Sequence, residues 1–205
     1  MTKRSPLALA ILVLLYEEPM HVYRMQQLIK ERGKDEVINI TQRNNLYQII
    51  ARLERDGLIT VRASERNNNR PERVTYELSN AGRGLTIEWT REIISTPSRE
   101  FPEFPAAISV LPVLTPEDAL EQFDKRIAAL EVELARLDTQ TEAASFVPRL
   151  FLLEMEYLRA QTSCELRWVR AIADDLRSGR LTWSDAWMQK VAEELAAKHS
   201  EKGEQ

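Results

Sequence analysis

Three helix-length apolar periodicities, two short alternating runs after them, and a second half with helical spacing only predict a mainly α fold. The N-terminal part reads as a winged helix-turn-helix with a two-stranded wing, and the rest as an all-α C-terminal dimerisation domain. The charge divides in the same way. Residues 1–95 carry a net +3 and residues 96–205 a net −7, so a polyanionic partner is expected to meet the first half.

The first helix begins at Ser5-Pro6, a cap followed by a residue suited to the first turn, and ends near Pro19. Its run Leu7–Leu15, behind Lys3 and Arg4, has the outline of a secretory signal. However, Tyr16, Glu17, Glu18 and Pro19 follow it instead of a small-x-small cleavage site, and the run is too short to span a bilayer. A helix buried on most sides, at the centre of a small three-helix domain, is the expected reading. The second helix runs from about His21 to Arg32 with Val22, Met25, Leu28 and Ile29 inward, and Gly33 stops it. The third starts at Thr41 as N-cap, turns Leu46, Ile49, Ile50 and Leu53 inward, and stops at Asp56-Gly57. Two strands are expected at Leu58–Ala63 and Val74–Leu78, joined by a polar tip broken by Pro71. Ser79 caps a fourth helix reaching about Ser95.

Residues 96–116 contain five prolines and read as a linker, pinned to a surface through Phe101, Phe104 and Leu111. Beyond it, Leu120, Phe123, Ile127, Leu130, Leu134 and Leu137 form a heptad seam. A long helix is expected from about Ala144 to Ser178, roughly 50 Å by helical rise. Its inward stripe is expected to be Phe146, Leu150, Leu153, Tyr157, Ala160, Cys164, Trp168 and Ile172, covered by a second chain. Gly179 ends this helix, and a last one covers about Thr182–Lys198. The expected domains are therefore 1–95, a linker at 96–116, 117–199, and a tail at 200–205.

The third helix carries the chemistry. With its apolar face inward, Gln42, Asn45, Gln48 and Arg52 face away, beside Thr41, Arg43, Asn44 and Tyr47. Amide side chains match adenine's major-groove edge, and arginine matches the two acceptors of guanine. The N-terminal residues of such a helix are the ones that reach bases, and its free N–H groups favour phosphate. The wing adds Arg62, Arg66, Arg70 and Arg73, with Asn68 and Asn69 at its tip, placed to neutralise phosphates beside the groove. Double-stranded DNA is the expected partner. The alternative is a winged helix that docks protein and does not bind DNA.

The residues LYQIIARLERDGLI and RPERVTYELSNAGRGL resemble the PadR family of bacterial transcription regulators, whose pattern is Leu-Tyr-Pro-x-Leu-x-x-Leu-x-x-x-Gly-Leu, a basic wing, then Tyr-x-Leu-Thr-x-x-Gly. His21, Val22 and Tyr23 are similar to that family's His-Gly-Tyr, and the likeness covers about residues 7–92. Val22, Gln48 and Ser79 depart from the family's Gly, Pro and Thr. The resemblance implies a homodimer, its C-terminal helices crossing between subunits, that represses nearby genes by occupying a promoter; a two-fold symmetric reader in turn predicts an inverted-repeat operator, and the single cysteine fits a cytoplasmic location. The resemblance also implies, for some relatives, release of DNA on binding a small aromatic or hydrophobic effector. It carries Tyr47 over as a DNA or packing contact and Tyr23 as a support for the first two helices.

Other classes fit poorly. One cysteine and two histidines exclude a disulfide framework and leave little for a metal site, and no cofactor is expected. No phosphate loop, nucleophile elbow or H-E-x-x-H helix is present, so no catalytic residue is assigned and an enzyme is not expected. Gly82-Arg83-Gly84 follows no parallel-sheet pattern and is not read as a phosphate cradle. Trp89, Trp168, Trp183 and Trp187 are expected in the dimer core, with an effector pocket as the alternative. Cys164 is expected as a small buried hydrophobe, and His21 as a cap or hydrogen-bonding residue. No membrane partner is expected.

Overall fold

The computed structural model describes residues 4–40, 43–65 and 73–202, in two compact units, Met1–Glu100 and Phe101–Gln205. In the first unit, α1 (Pro6–Glu17) starts where Ser5 Oγ accepts the Ala8 N–H at 3.1 Å. Leu7, Ala8, Ile11, Leu12, Leu14 and Leu15 are all buried, so α1 is the central helix its apolar run predicts. Strand β1 (Met20–His21) leads into α2 (Val22–Glu31), where His21 Nδ1 accepts the Arg24 N–H at 3.0 Å as the N-cap. Helix α3 (Arg43–Arg55) lays Leu46, Ile49, Ile50 and Leu53 into the same core. Gly57, at φ +71, stops it, because its left-handed backbone is cheap only without a Cβ.

Strands β2 (Ile59–Glu65) and β3 (Arg73–Leu78) form the wing, and α4 (Asn80–Ser95) packs back with Trp89 in the core. The sheet is antiparallel in the order β1-β3-β2. The third strand was not expected. It is two residues long, too short for an alternation signal, and is defined only by its partners, Met20 on Tyr76 and His21 on Thr75. The wing strands also run further towards the tip than the expected 58–63 and 74–78. A bulge makes Arg62 the extra residue between the pairs Val61–Tyr76 and Ala63–Thr75.

One hydrogen-bonded knot joins α3, the wing and α4. Ser79 Oγ lies 2.7 Å from the Gly57 carbonyl and 3.0 Å from the Leu58 carbonyl, and accepts the Gly82 N–H at 3.0 Å. Gly82 lies so close to Leu58 that an added Cβ would fall 2.0 Å from its carbonyl oxygen. This close approach, not phosphate binding, explains the glycine. Nearby, Arg32 grips Glu17 with two hydrogen bonds of 2.6 and 2.7 Å, tying the ends of α1 and α2 and holding the Glu17 carboxyl below its usual range.

The second unit is helical: α5 (Glu103–Ser109), α6 (Pro116–Ala143), α7 (Leu153–Arg177) and α8 (Asp185–Lys202). The stretch expected as a linker thus carries a helix. Phe104 and Leu111 pack on the second core, while Phe101 is 82% exposed. Arg126 lies over the Phe104 ring at 3.4 Å, and Trp168 meets that ring edge-on at 6.1 Å. The heptad seam of α6 packs against α7 of the same chain, with Phe123 and Leu137 buried and Leu120, Ile127, Leu130 and Leu134 partly so. Ion pairs line the hairpin: Arg126–Glu165 and Arg170–Glu131 at 2.5 Å, with Arg159–Asp138 and Arg177–Asp124. They are solvated and fix register more than they stabilise.

One expectation for this unit needs correction. The long helix begins at Leu153 instead of Ala144, because Pro148 and a 3-10 turn at Arg149–Phe151 break it. Its 25 residues make about 37 Å by helical rise. A second face of α7, which periodicity did not single out, packs within the chain. Met155, Leu166, Val169, Ala173 and Leu176 are buried, whereas Leu153, Tyr157, Ala160, Cys164 and Trp168 are exposed in the single chain. Phe146 and Leu150, before α7, are exposed as well. Trp89 belongs to the first unit's core, and Trp183 donates its indole N–H to the Leu114 carbonyl at 2.9 Å.

Candidate nucleic-acid interface

Helix α3 is anchored from one side only. Four apolar side chains fix it in the core, and Leu46 and Leu53 are almost fully buried. A helix held this way cannot roll, so the opposite positions are presented at a set angle. Asn45, Tyr47 and Gln48 are exposed there, and Arg52 is half-buried one turn further along. Arg43 and Asn44 form the first turn of the helix, with their side chains outside the described part. Thr41 and Gln42 lie outside the described residues. The exposed end of α3 therefore bears two amides and a phenol, and these groups can donate and accept in the same plane as a base edge.

The connection into α3 is pinned. Gly33 turns the chain at φ +63, a 3-10 turn covers Lys34–Glu36, and Ile38 and Ile40 pack against the core. Tyr23, Gln26, Gln27 and Lys30 of α2 line an open cleft with this connection. Tyr23 is 68% exposed, so it does not support the first two helices as the resemblance implied. Sequence reading passed over the polar face of α2, although Gln26, Gln27 and Lys30 lie off its apolar stripe and could have been found from that spacing.

The wing packs beside α3. Tyr76 of β3 has its phenol pushed up by burial first, and then by Glu54 and Tyr47 of α3. Arg62 is exposed on the bulge, its Nε 3.9 Å from Glu77 Oε2. Arg73 begins β3, and Arg66, Asn68, Asn69 and Arg70 lie outside the described residues. The structure thus leaves Asn45 and Gln48, one turn apart, exposed on one side of α3, with Tyr47 exposed further round the helix. Among the described residues, no helix is long and apolar enough to cross a membrane.

Comparison with known proteins agrees with this geometry. Residues 11–86 match the model of the transcriptional regulator PadR-like family. Among solved structures, Bacillus subtilis PadR in complex with operator DNA is similar, at 18% identity and a TM-score of 0.67 over 85% of this chain and 99% of that one. The same protein in complex with p-coumaric acid matches at 18% identity and a TM-score of 0.67, covering 83% of this chain and 98% of that chain. The Vibrio cholerae virulence activator AphA matches at 16% identity and a TM-score of 0.61, covering 84% and 98%. At these identities the likeness is one of fold. No curated protein sequence matches. Over residues 11–86, its N-terminal winged helix, the chain is thus similar to the PadR-like family of transcriptional regulators.

Proposed function

We propose that the protein is a sequence-specific DNA-binding regulator that acts as a homodimer on an inverted-repeat operator. Helix α3 enters the major groove with Asn45, Tyr47 and Gln48 at the base edges, joined by Arg43, Asn44 and, further along, Arg52. The wing arginines neutralise flanking phosphates. The observation that carries this reading is the one-sided anchoring of α3, which leaves its amide-bearing face exposed beside the wing. Residues 1–95 read DNA and residues 117–199 join two copies. The exposed stripe of α7, with Trp187 and Leu195 of α8, gives a second copy an apolar face to cover. The similar Bacillus subtilis protein is known with operator DNA and with p-coumaric acid. By analogy with it, this reading includes repression relieved by a small aromatic or hydrophobic molecule, in the cytoplasm.

Selection of bound duplexes from random DNA tests this directly. The expected result is a palindromic consensus with half-sites about one helical turn apart, bound less tightly as salt rises. Recovery of no consensus, with no dependence on salt, would favour a protein-docking winged helix instead.

A further inference from the structure

Two arginines, one on the helix before α3 in the chain and one on the wing after it, are held by carboxylates. On α2, before it, Glu31 holds Arg24 at 3.1 Å through one oxygen, while its other oxygen accepts from Gln27 at 2.7 Å. On the wing, after it, Glu77 sits 3.9 Å from the bulged Arg62. Each pair is open to solvent, with side-chain exposures of 39% and 47% for the first and 59% and 43% for the second. Ion pairs this exposed are weakly held, so which partner the arginine keeps turns on how closely a phosphate is brought to it. Residues 1–95 accordingly carry a net charge of only +3 despite fifteen arginines and lysines.

We propose that Glu31 and Glu77 are specificity-determining residues: each stands in for a DNA phosphate on its arginine, and only a well-fitted operator displaces it. This rests on the DNA-binding reading above. On a random duplex, α3 makes no base contacts to hold the domain close, so Arg24 and Arg62 stay with their carboxylates and release no counterions. On the operator, base contacts fix the register, and both arginines transfer to phosphate. The carboxylates therefore weaken the wrong complex more than the right one, which is how discrimination is gained by a repulsive element.

The test compares wild type, E31Q/E77Q, R24A/R62A and the fourfold variant, each as the full chain. Affinity is measured for a random duplex and for the duplex recovered by selection, between 50 and 200 mM salt. Each arginine freed onto phosphate adds about 0.9 to the log–log salt slope. On random DNA, E31Q/E77Q should therefore steepen by about 1.8 and lose about 12-fold more affinity than wild type over that fourfold range. On the selected duplex its slope should stay that of wild type, so the preference for operator narrows. The fourfold variant should show no gain over R24A/R62A. An unchanged slope of E31Q/E77Q on random DNA overturns the proposal, as does a gain that persists without the arginines. Thermal melts verify that each variant is folded, and single E31Q and E77Q changes carry the comparison if the double change unfolds. Wild type that binds neither duplex at any salt refutes the DNA-binding reading itself, and this proposal with it.

Discussion

Replacing Gly82 with alanine should unfold much of the margin that holds the winged helix together. The new methyl would lie 2.0 Å from the Leu58 carbonyl oxygen and 2.8 Å from Leu78 Cδ1. The leucine tip can rotate away. The carbonyl cannot, because it is backbone and accepts both the Ser79 N–H at 3.1 Å and the Ser79 hydroxyl. Reaching ordinary contact distance requires α4 or the start of β2 to shift by more than about 1 Å, at a cost of about 1–3 kcal/mol for overpacking. Losing the two Ser79 bonds adds about 1 kcal/mol each. A total near 4 kcal/mol is a large part of a domain's usual margin of about 5–15 kcal/mol. For a domain of this size it lowers Tm by about 15 °C or more. Gly84, two residues along the same helix, provides the control, since nothing lies within 4 Å of its added Cβ. G84A should raise stability by about 0.5–1 kcal/mol through better helix propensity. Thermal melts followed by circular dichroism, with urea titrations, read both. G82A melting within a few degrees of wild type would show that the Ser79–Gly82–Leu58 knot does not hold the wing.

N45A or Q48A should lose preference at particular base pairs, at a cost of about 1–3 kcal/mol for a bidentate contact, read by competition among operator variants; an unchanged consensus would remove that face of α3 from readout. Y157D should leave the far-UV spectrum intact and convert the protein to monomer in sedimentation, whereas an unchanged mass would mean that the α7 stripe is not the interface. Acid should act on the Glu17–Arg32 pair. The bound Glu17 carboxyl has a lowered pKa, so its stabilisation is fully present above the ordinary glutamate value and disappears as pH falls through the depressed one. E17Q should therefore melt lower than wild type near neutral pH, and the two should converge as the pH falls below the glutamate range.

The first unit was legible because its signals are local. Ser5 and Ser79 cap the helices they were expected to cap, Gly33 and Gly57 turn the chain at positive φ, and the spacing of Leu46, Ile49, Ile50 and Leu53 fixed the face of α3. What was missed there depends on partners distant in sequence. Strand β1 exists only through its pairing with β3, and the bulge at Arg62 is a mismatch between two strands that neither strand shows alone. The exposure of Asn45 and Gln48 on α3 was foreseen from periodicity. The paired state of Arg24 and Arg62 was not, because a carboxylate's reach depends on folded distances.

The second unit shows a different limit. Helix α7 carries two apolar stripes, and periodicity cannot rank them. Met155, Leu166, Val169, Ala173 and Leu176 are buried, while Leu153, Tyr157, Cys164 and Trp168 are left exposed. Geometry supplies the reason. Val169 and Ala173 are the short side chains that meet Phe123, and they make room for its ring between the two helices. The other stripe is left outward, together with Phe146, Leu150 and Phe151 before it and Trp187 and Leu195 on α8. A unit that leaves so many large apolar groups in water while its own seam is already filled has an unmet demand for cover. The expectation that a second copy supplies it rests on this outward stripe, because α7 of the same chain already fills the heptad seam of α6.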